Sequence, residues 1–309
     1  MAIMIEFLYH NYGEVTMKNI IKKLSHSKLE PLFYLAYNIL IKIEYLSFSS
    51  QWYIKGYRKP DQEAINNVAN NVTFIYKSFE RQKLAKRLYK NIASYYPGAK
   101  VIIADDSHKP LKIKGDNLEI IQLPFNSGLS YGLNRALEKV TTAYTVRLDD
   151  DELLTPLTRI EDELAFFNQH REVDLVGFGI MSTPKCQLPK KSLQFYFSES
   201  MSRAPKKLII PHLTMIDQNH IVVGKSPNSF IVRTNKLKEL GWDDNIRMMD
   251  HKEFFIRAAG NIVSTVNPNT IIFHGHNQFN KNYQNYRSRV AQDKLYIQNK
   301  YAKRYQNNK

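Results

Sequence analysis

The sequence predicts an α/β fold: an open, mostly parallel central sheet flanked by helices, with a helical segment in front of it. Three observations carry this. Beyond Asn71, short runs rich in β-branched and aromatic residues alternate with helical patterns. Proline and glycine punctuate the boundaries, as at Pro97-Gly98. The order strand, helix, strand, strand, helix, strand belongs to sheets built from right-handed crossovers.

The elements follow in order. Residues 1–66 read as mainly helical, and Leu32, Leu35, Ile39, Ile43 and Leu46 recur at helical spacing. Such a stripe is expected to pack on the neighbouring domain, with an amphipathic membrane-surface element as the alternative. VTFIY at 72–76 reads as a buried strand, followed by a helix over 81–96. KVIIADDS (100–107) and LEIIQLP (118–124) are the next strands, and SYGLNRALEKV (130–140) is a helix. AYTVRLDDD ends the fourth strand, a helix is expected from Thr155 to Gln169, and DLVGFGI (174–180) is again a strand. The organisation expected is a helical extension over 1–66, a catalytic domain over 67–280 and a basic, Tyr-rich helical tail over 281–309.

Composition sets bounds. The 309 residues suffice for one large domain with an appendage. One cysteine, Cys186, excludes an internal disulfide and fits a reducing compartment. Neither a leader pattern nor a clean apolar run of about 18 residues is present. The expectation is therefore a cytoplasmic protein, peripheral on the inner face of the plasma membrane. The formal charge is +15, and from Asn280 to Lys309 eight basic residues face one acid, Asp293. That segment suits an anionic membrane surface or a phosphorylated substrate. It would also suit nucleic acid, but no nucleic-acid module accompanies it, and none is expected as a partner.

Against this basic background, TVRLDDDELL at 145–154 places four carboxylates in a row at the end of a predicted strand. Adjacent like charges repel unless a cation, solvent or a helix N-terminus relieves them. In open α/β sheets ligands bind beyond the carboxyl ends of strands, and a second acidic pair, Asp105-Asp106, ends another strand. On an extended or turning backbone Asp149 and Asp151 can face one ion while Asp150 points elsewhere. A hard divalent cation such as Mn²⁺ or Mg²⁺ bridging a nucleotide diphosphate fits that pattern. No GxxxxGK[ST] or GxGxxG loop is present to cradle phosphates. The same carboxylates would serve a phosphoryl- or nucleotidyl-transfer enzyme.

Four segments resemble the catalytic core of glycosyltransferases of the GT-A fold with a family-2-like core, in particular ganglioside-type β1,4-N-acetylgalactosaminyltransferases. They are KSFERQKLAKRLYKNIASYYPGAKVIIADDS (77–107), LPFNSGLSYGLNRALEKVTTAYTVRLDDDE (123–152), SFIVRTNKLKELGWDDNIRMMDHKEFF (229–255) and IIFHGHN (271–277). The resemblance covers about residues 70–280 and says nothing of 1–66.

This resemblance implies that Asp105 or Asp106 contacts the base or ribose of a nucleotide sugar. Asn126, Gly128, Asn134 and Asp150 would lie on the nucleotide-sugar side. Asp149 and Asp151 would hold the metal and diphosphate, with His274 or His276 completing the site. An acidic pair commonly follows a Gly-Trp loop in such enzymes; here Gly241-Trp242 is followed by Asp250-His251, with Glu253 two positions on. His251 and Glu253 are the main candidates for base and acceptor contact, Asp250 the third, and Trp242 a candidate for stacking on the acceptor sugar. The implied activity is metal-dependent, inverting transfer from a UDP-sugar to a glycan or lipid-linked glycan acceptor, such as capsule or lipopolysaccharide. N-acetylgalactosamine comes first as donor sugar, then N-acetylglucosamine or galactose.

Overall fold

The computed structural model describes residues 27–182, 208–275, 286 and 290–306. Cys186 and His276 lie outside them. Nine strands are described: β1 (Val72–Ser78), β2 (Lys100–Asp105), β3 (Leu118–Gln122), β4 (Tyr144–Arg147), β5 (Glu152–Leu154), β6 (Leu175–Ser182), β7 (Ile221–Val222), β8 (Phe230–Arg233) and β9 (Ser264–His274). Their order is β3-β2-β1-β4-β8-β6-β9-β5, with β7 on β9. The first four strands form a parallel block, and from β8 onward antiparallel pairs enter, so the sheet is mixed.

The helices are α1 (Glu30–Ile54), α2 (Gln62–Asn71), α3 (Gln82–Tyr95), α4 (Leu129–Lys139), α5 (Ile160–Gln169), α6 (Thr234–Leu240), α7 (Asp250–Ala258) and α8 (Val290–Gln306). The sheet is covered on both faces, as buried parallel strands require. Phe74 and Tyr76 of β1 join one core with Leu88 and Ile92 of α3, whereas Ile75 joins the other with Leu133 and Leu137 of α4. This is the two-residue alternation of a strand read at its two faces. In α3, Ala85, Leu88, Ile92 and Tyr95 form the single buried stripe.

Three expectations change. The helix expected from Thr155 begins at Ile160, because Thr158 Oγ receives the Thr155 N–H at 2.8 Å and donates to the Ile271 carbonyl. These local side-chain bonds give the backbone an alternative to the helix. The boundary drawn at residue 66 falls inside α2, which runs directly into β1. The third change is in α1. The stripe expected to pack inward is the exposed one: Leu32, Leu35, Ile39, Ile43 and Leu46 are 52–62% accessible. The helix buries its aromatic side instead, with Tyr37 and Ile41 against Leu153, Leu157, Met181, Ile271 and Phe273, and Tyr45, Phe48 and Trp52 beside them. Large aromatic side chains remove more apolar area from water than leucines do, and this decides the orientation. Pro31 sits in the first turn, and Gly56 at φ 97° follows the end.

The described part of the expected tail is a docked helix. Ile297 and Tyr301 of α8 are buried against Ile246 and Ile256. No helix among the described residues is long and apolar enough to cross a membrane.

Candidate active site

The carboxyl ends of β1, β2 and β4 lie side by side, since β1 pairs with both others in parallel register. Each sends a loop to the same place. From the β1 loop, Arg81 reaches the acidic turn after β4: it binds both carboxylate oxygens of Asp150 and, through NH1, Asp151 Oδ2 at 2.8 Å. Asp150 and Asp151 are nearly inaccessible, so this guanidinium relieves most of their mutual repulsion.

Asp149 is served by a different cation. Arg147, wholly buried at the end of β4, contacts Asp149 Oδ1 at 2.9 Å and Asp250 Oδ2 at 3.7 Å, and donates to the Asn228 carbonyl at 3.0 Å. Glu152 shapes the turn by accepting the Asp149 N–H at 2.8 Å and the Ser229 hydroxyl. His274, at the end of β9, places Nε2 3.6 Å from Asp151 Oδ1, with Nδ1 3.3 Å from Ser182 Oγ. Burial opposes charge on this imidazole, but Asp151, then Glu152 and Asp149, outweigh it and raise its pKa to about 9.

The geometry therefore divides the acids differently from the sequence expectation. Asp149 leans on Arg147, and Asp151 on Arg81 and His274, so each carboxylate has its own cation. Among the described residues no three His, Cys, Asp or Glu side chains converge as a metal cage. Asp151 and His274 do converge as a pair.

A pocket opens beside the turn, lined by Asp149 and Asp150, by Lys77, Phe79 and Arg81, and by Asn126, Gly128, Arg247 and Met248. Tyr286 lines it as well, its ring edge-on to Phe79 at 5.0 Å. Behind the wall, Asp106 is fully buried on Lys77 Nζ at 2.5 Å and on the Gly128 N–H at 3.2 Å. Asp105, also buried, accepts from the Ser107 hydroxyl at 2.6 Å and the Leu111 N–H at 2.6 Å. Both acids thus organise the loops of the pocket instead of presenting a free carboxylate to it. Asn126 contributes its carbonyl, which accepts from Arg247 NH1 at 2.7 Å. Asn134 is not on the ligand side. Its amide brackets the Trp242 backbone with two 2.8 Å bonds and reaches Asp244.

Of the three candidate bases, the structure brings Asp250 and His251 to the acidic turn's side and takes Glu253 elsewhere. Glu253 is buried on Arg257 at 2.8 Å, Lys300 at 2.7 Å and the Tyr301 hydroxyl at 2.7 Å, so it fastens α8 to α7. His251 donates through Nε2 to the Ser226 carbonyl at 2.6 Å, a contact that requires the proton on that nitrogen. Burial, then Lys225, lowers its pKa to about 3. Asp250 Oδ2 is buried and accepts no hydrogen bond among the described residues, and burial, against the opposing charge of Arg147, raises its pKa to about 6.

Trp242 is buried and stacked on Phe254 at 5.6 Å, which removes it from the acceptor side. Trp242→Phe is expected to leave the acceptor KM unchanged and to lower stability by about 1–2 kcal/mol. A rise in KM at unchanged stability would return the ring to the acceptor.

Several site residues escape the sequence because their partners are distant: the Arg81 pairs span about 70 positions. Asp293 of α8 is another. Its Oδ2 accepts the N–H groups of Arg247, Met248 and Met249 at 3.1, 2.6 and 3.0 Å, fixing the pocket wall and the start of α7. Asp293→Ala is expected to cost about 3 kcal/mol, since one carboxylate satisfies three backbone donors, and to weaken nucleotide binding together with it. Unchanged nucleotide affinity would make Asp293 a stability residue only.

Known proteins resemble this chain over the same region. Mouse β1,4 N-acetylgalactosaminyltransferase 2 is 30% identical over 209 residues, 67% of this chain and 40% of that protein. Rat β1,4 N-acetylgalactosaminyltransferase 1 is 30% identical over 207 residues, 65% of this chain and 38% of that protein. The chain thus spans about 40% of the length of these relatives. The crystal structure of S. aureus TarS 1-349 in complex with UDP-GlcNAc aligns with a TM-score of 0.49 at 17% identity, covering 68% of this chain and 61% of that one. The family model described as "Glycosyl transferase family 2" matches residues 73–241, from β1 to the Gly-Trp loop. That stretch is more than half of the 309 residues and holds the parallel block, the acidic turn and its partner arginines. With its helix-covered mixed sheet, the catalytic region has the GT-A fold, and the chain belongs to glycosyl transferase family 2.

Proposed function

We propose that this chain transfers a sugar, N-acetylgalactosamine before N-acetylglucosamine or galactose, from a UDP-sugar to a hydroxyl of a lipid-linked surface glycan. The observation that carries the reading is the three-aspartate turn: its carboxylates meet Arg81, Arg147 and His274, and Asp149, Asp150 and Arg81 face a pocket walled by Phe79 and Tyr286. Flat aromatic rings beside fixed cations suit a nucleobase and its diphosphate. The donor preference rests on the two N-acetylgalactosaminyltransferase relatives.

The donor set accommodates a divalent cation. A carboxylate oxygen and an imidazole nitrogen 3.6 Å apart can share one ion, and the imidazole favours Mn²⁺ over Mg²⁺. Asp151 and His274 would hold it, the imidazole giving up its Nε2 proton to do so, with diphosphate oxygens and water in the remaining positions. When bound, such an ion neutralises the charge that develops on the leaving diphosphate.

The chain's own residues supply the rest. Arg81 holds Asp150 and Asp151 in place, and Arg247 draws the Asn126 loop over the donor. Asp250 takes the proton of the acceptor hydroxyl as that oxygen attacks the anomeric carbon, because a carboxylate raised to about 6 is suited to proton transfer near neutral pH. His251, lowered to about 3, is a far weaker base and positions the Ser226 loop through Nε2. Attack from the face opposite the departing UDP inverts the anomeric configuration.

The test is UDP release from a panel of UDP-sugars with Mn²⁺, Mg²⁺ or EDTA. Slow, metal-dependent hydrolysis of one donor, accelerated by acceptor, is the expected outcome. Turnover of nucleoside triphosphates, with every UDP-sugar untouched, would favour the phosphoryl-transfer alternative.

A further inference from the structure

The exposed face of α1 has no counterpart in the chemistry described so far. Leu32, Leu35, Ile39, Ile43 and Leu46 form a solvent-facing apolar stripe about 21 Å long, and Leu29 and Ile54 extend it at both ends. Single exposed leucines are ordinary, but a continuous stripe of this size on a helix marks an interaction surface.

The charges around it choose the occupant. Lys42 lies among the stripe residues, while Lys28 stands before the helix and Lys55, Arg58 and Lys59 follow it, all five exposed. The two acids of the same stretch, Glu30 and Glu44, are only partly exposed. Lys55, Arg58 and Lys59 turn back onto Trp52, the Tyr53 and Tyr57 carbonyls and the Ser94 carbonyl, so Lys28 and Lys42 are the cations beside the stripe. An apolar face flanked by these two lysines complements a lipid surface with anionic headgroups, where the stripe enters the acyl boundary and the cations meet phosphate. A second copy would bring the same cations together, and like charges facing each other oppose association.

The position of α1 gives this surface a purpose. Ile41 lies about 200° around the helix from both Ile39 and Ile43. Its side chain packs so closely on Gly275 that a Cβ there would stand 2.7 Å from Ile41 Cγ2. Gly275 donates its N–H to the Asp151 carbonyl at 3.0 Å and follows His274 directly. Tyr45, on the buried side, donates to the Leu154 carbonyl at 2.8 Å. One helix, about 10–12 Å thick, therefore separates the exposed stripe from the backbone of the acidic turn.

We propose that the exposed face of α1 docks on an anionic lipid bilayer and holds the Asp149–Asp151 turn about one helix diameter from the lipid surface, within reach of an acceptor anchored there. The reach to an acceptor rests on the glycosyl-transfer reading; the docking does not.

The test is co-sedimentation of the full chain with vesicles of phosphatidylcholine alone or mixed with phosphatidylglycerol. A variant carrying Leu35→Gln, Ile39→Gln and Ile43→Gln is run in parallel. The wild type is expected to bind the mixed vesicles more than the neutral ones, and the variant to lose roughly tenfold or more in partitioning. Its UDP release from soluble donor should remain at the wild-type level. No wild-type binding at low salt, or binding that survives the triple substitution, overturns the proposal.

An environment-sensitive dye on Ile39→Cys, in a Cys186→Ser background, reads the occupant. Its emission is expected to change on vesicle addition. A buried signal without vesicles at every protein concentration would mean that residues 1–26 cover the face. One that grows with protein concentration would mean a second copy; either result overturns lipid docking. Docking without any sugar-nucleotide turnover would refute the proposed activity and leave the docking standing.

Discussion

Asp250→Asn is expected to lower the rate of sugar transfer by about 10²–10⁴-fold, the range associated with loss of a positioned general base. Donor binding should stay within roughly threefold, because the step lost is proton transfer and not recognition. The amide keeps the shape of the carboxyl and removes the oxygen that accepts no hydrogen bond among the described residues. The wild-type rate should rise with pH through the region near 6 where Asp250 ionises. A variant that transfers at the wild-type rate would move the base elsewhere, with His251 next in line.

The second large effect is on stability. Arg147 is fully buried between Asp149 and Asp250, so Arg147→Met leaves two carboxylates facing each other without their shared cation. Removing one partner of a buried ion pair costs about 3–5 kcal/mol. Chemical denaturation of the variant at pH 7 should show a loss of that size.

The pH dependence has a definite sign. Burial already raises Asp250 above its unfolded value in the wild type, and removing Arg147 raises it further. A group raised in the folded state contributes stability at low pH that is lost as pH rises through the folded pKa. The variant's deficit should therefore shrink as pH falls from 7 toward 5. A deficit that grows on acidification would mean that Asp250 is not the group left unpaired.

How far the sequence carries is clearest in α1 and the acidic turn. Strand ends at Asp105 and near Arg147 were legible because buried strands and amphipathic helices leave different periods, and those periods placed the aspartates at the sheet's carboxyl edge. In α1 both sides of the helix are apolar, so spacing alone could not say which side is buried, and the aromatic side prevailed. Trp242 and Glu253 had the right residue types in the right segment, but Phe254 and the Lys300–Tyr301 pair of α8 claim them. Those partners arrive from other elements, and the window that suggested the roles held no trace of the α8 pair. The same is true of Arg81, whose pairing with Asp150 and Asp151 exists only once β1 and β4 lie side by side.

On the proposed reading, Asp151 and His274 would hold a cation that helps the acidic turn bind a nucleoside diphosphate. Calorimetry of UDP binding, with Mn²⁺ and with EDTA, in the wild type and in Asp151→Ala, tests it most directly. The predicted result is a Mn²⁺-dependent affinity that falls by at least roughly tenfold in EDTA and in the variant. Affinity for UDP that is equal with Mn²⁺ and EDTA, and unchanged in Asp151→Ala, would contradict it and leave Arg81 and Arg247, which line the pocket, as the cations that meet the phosphates.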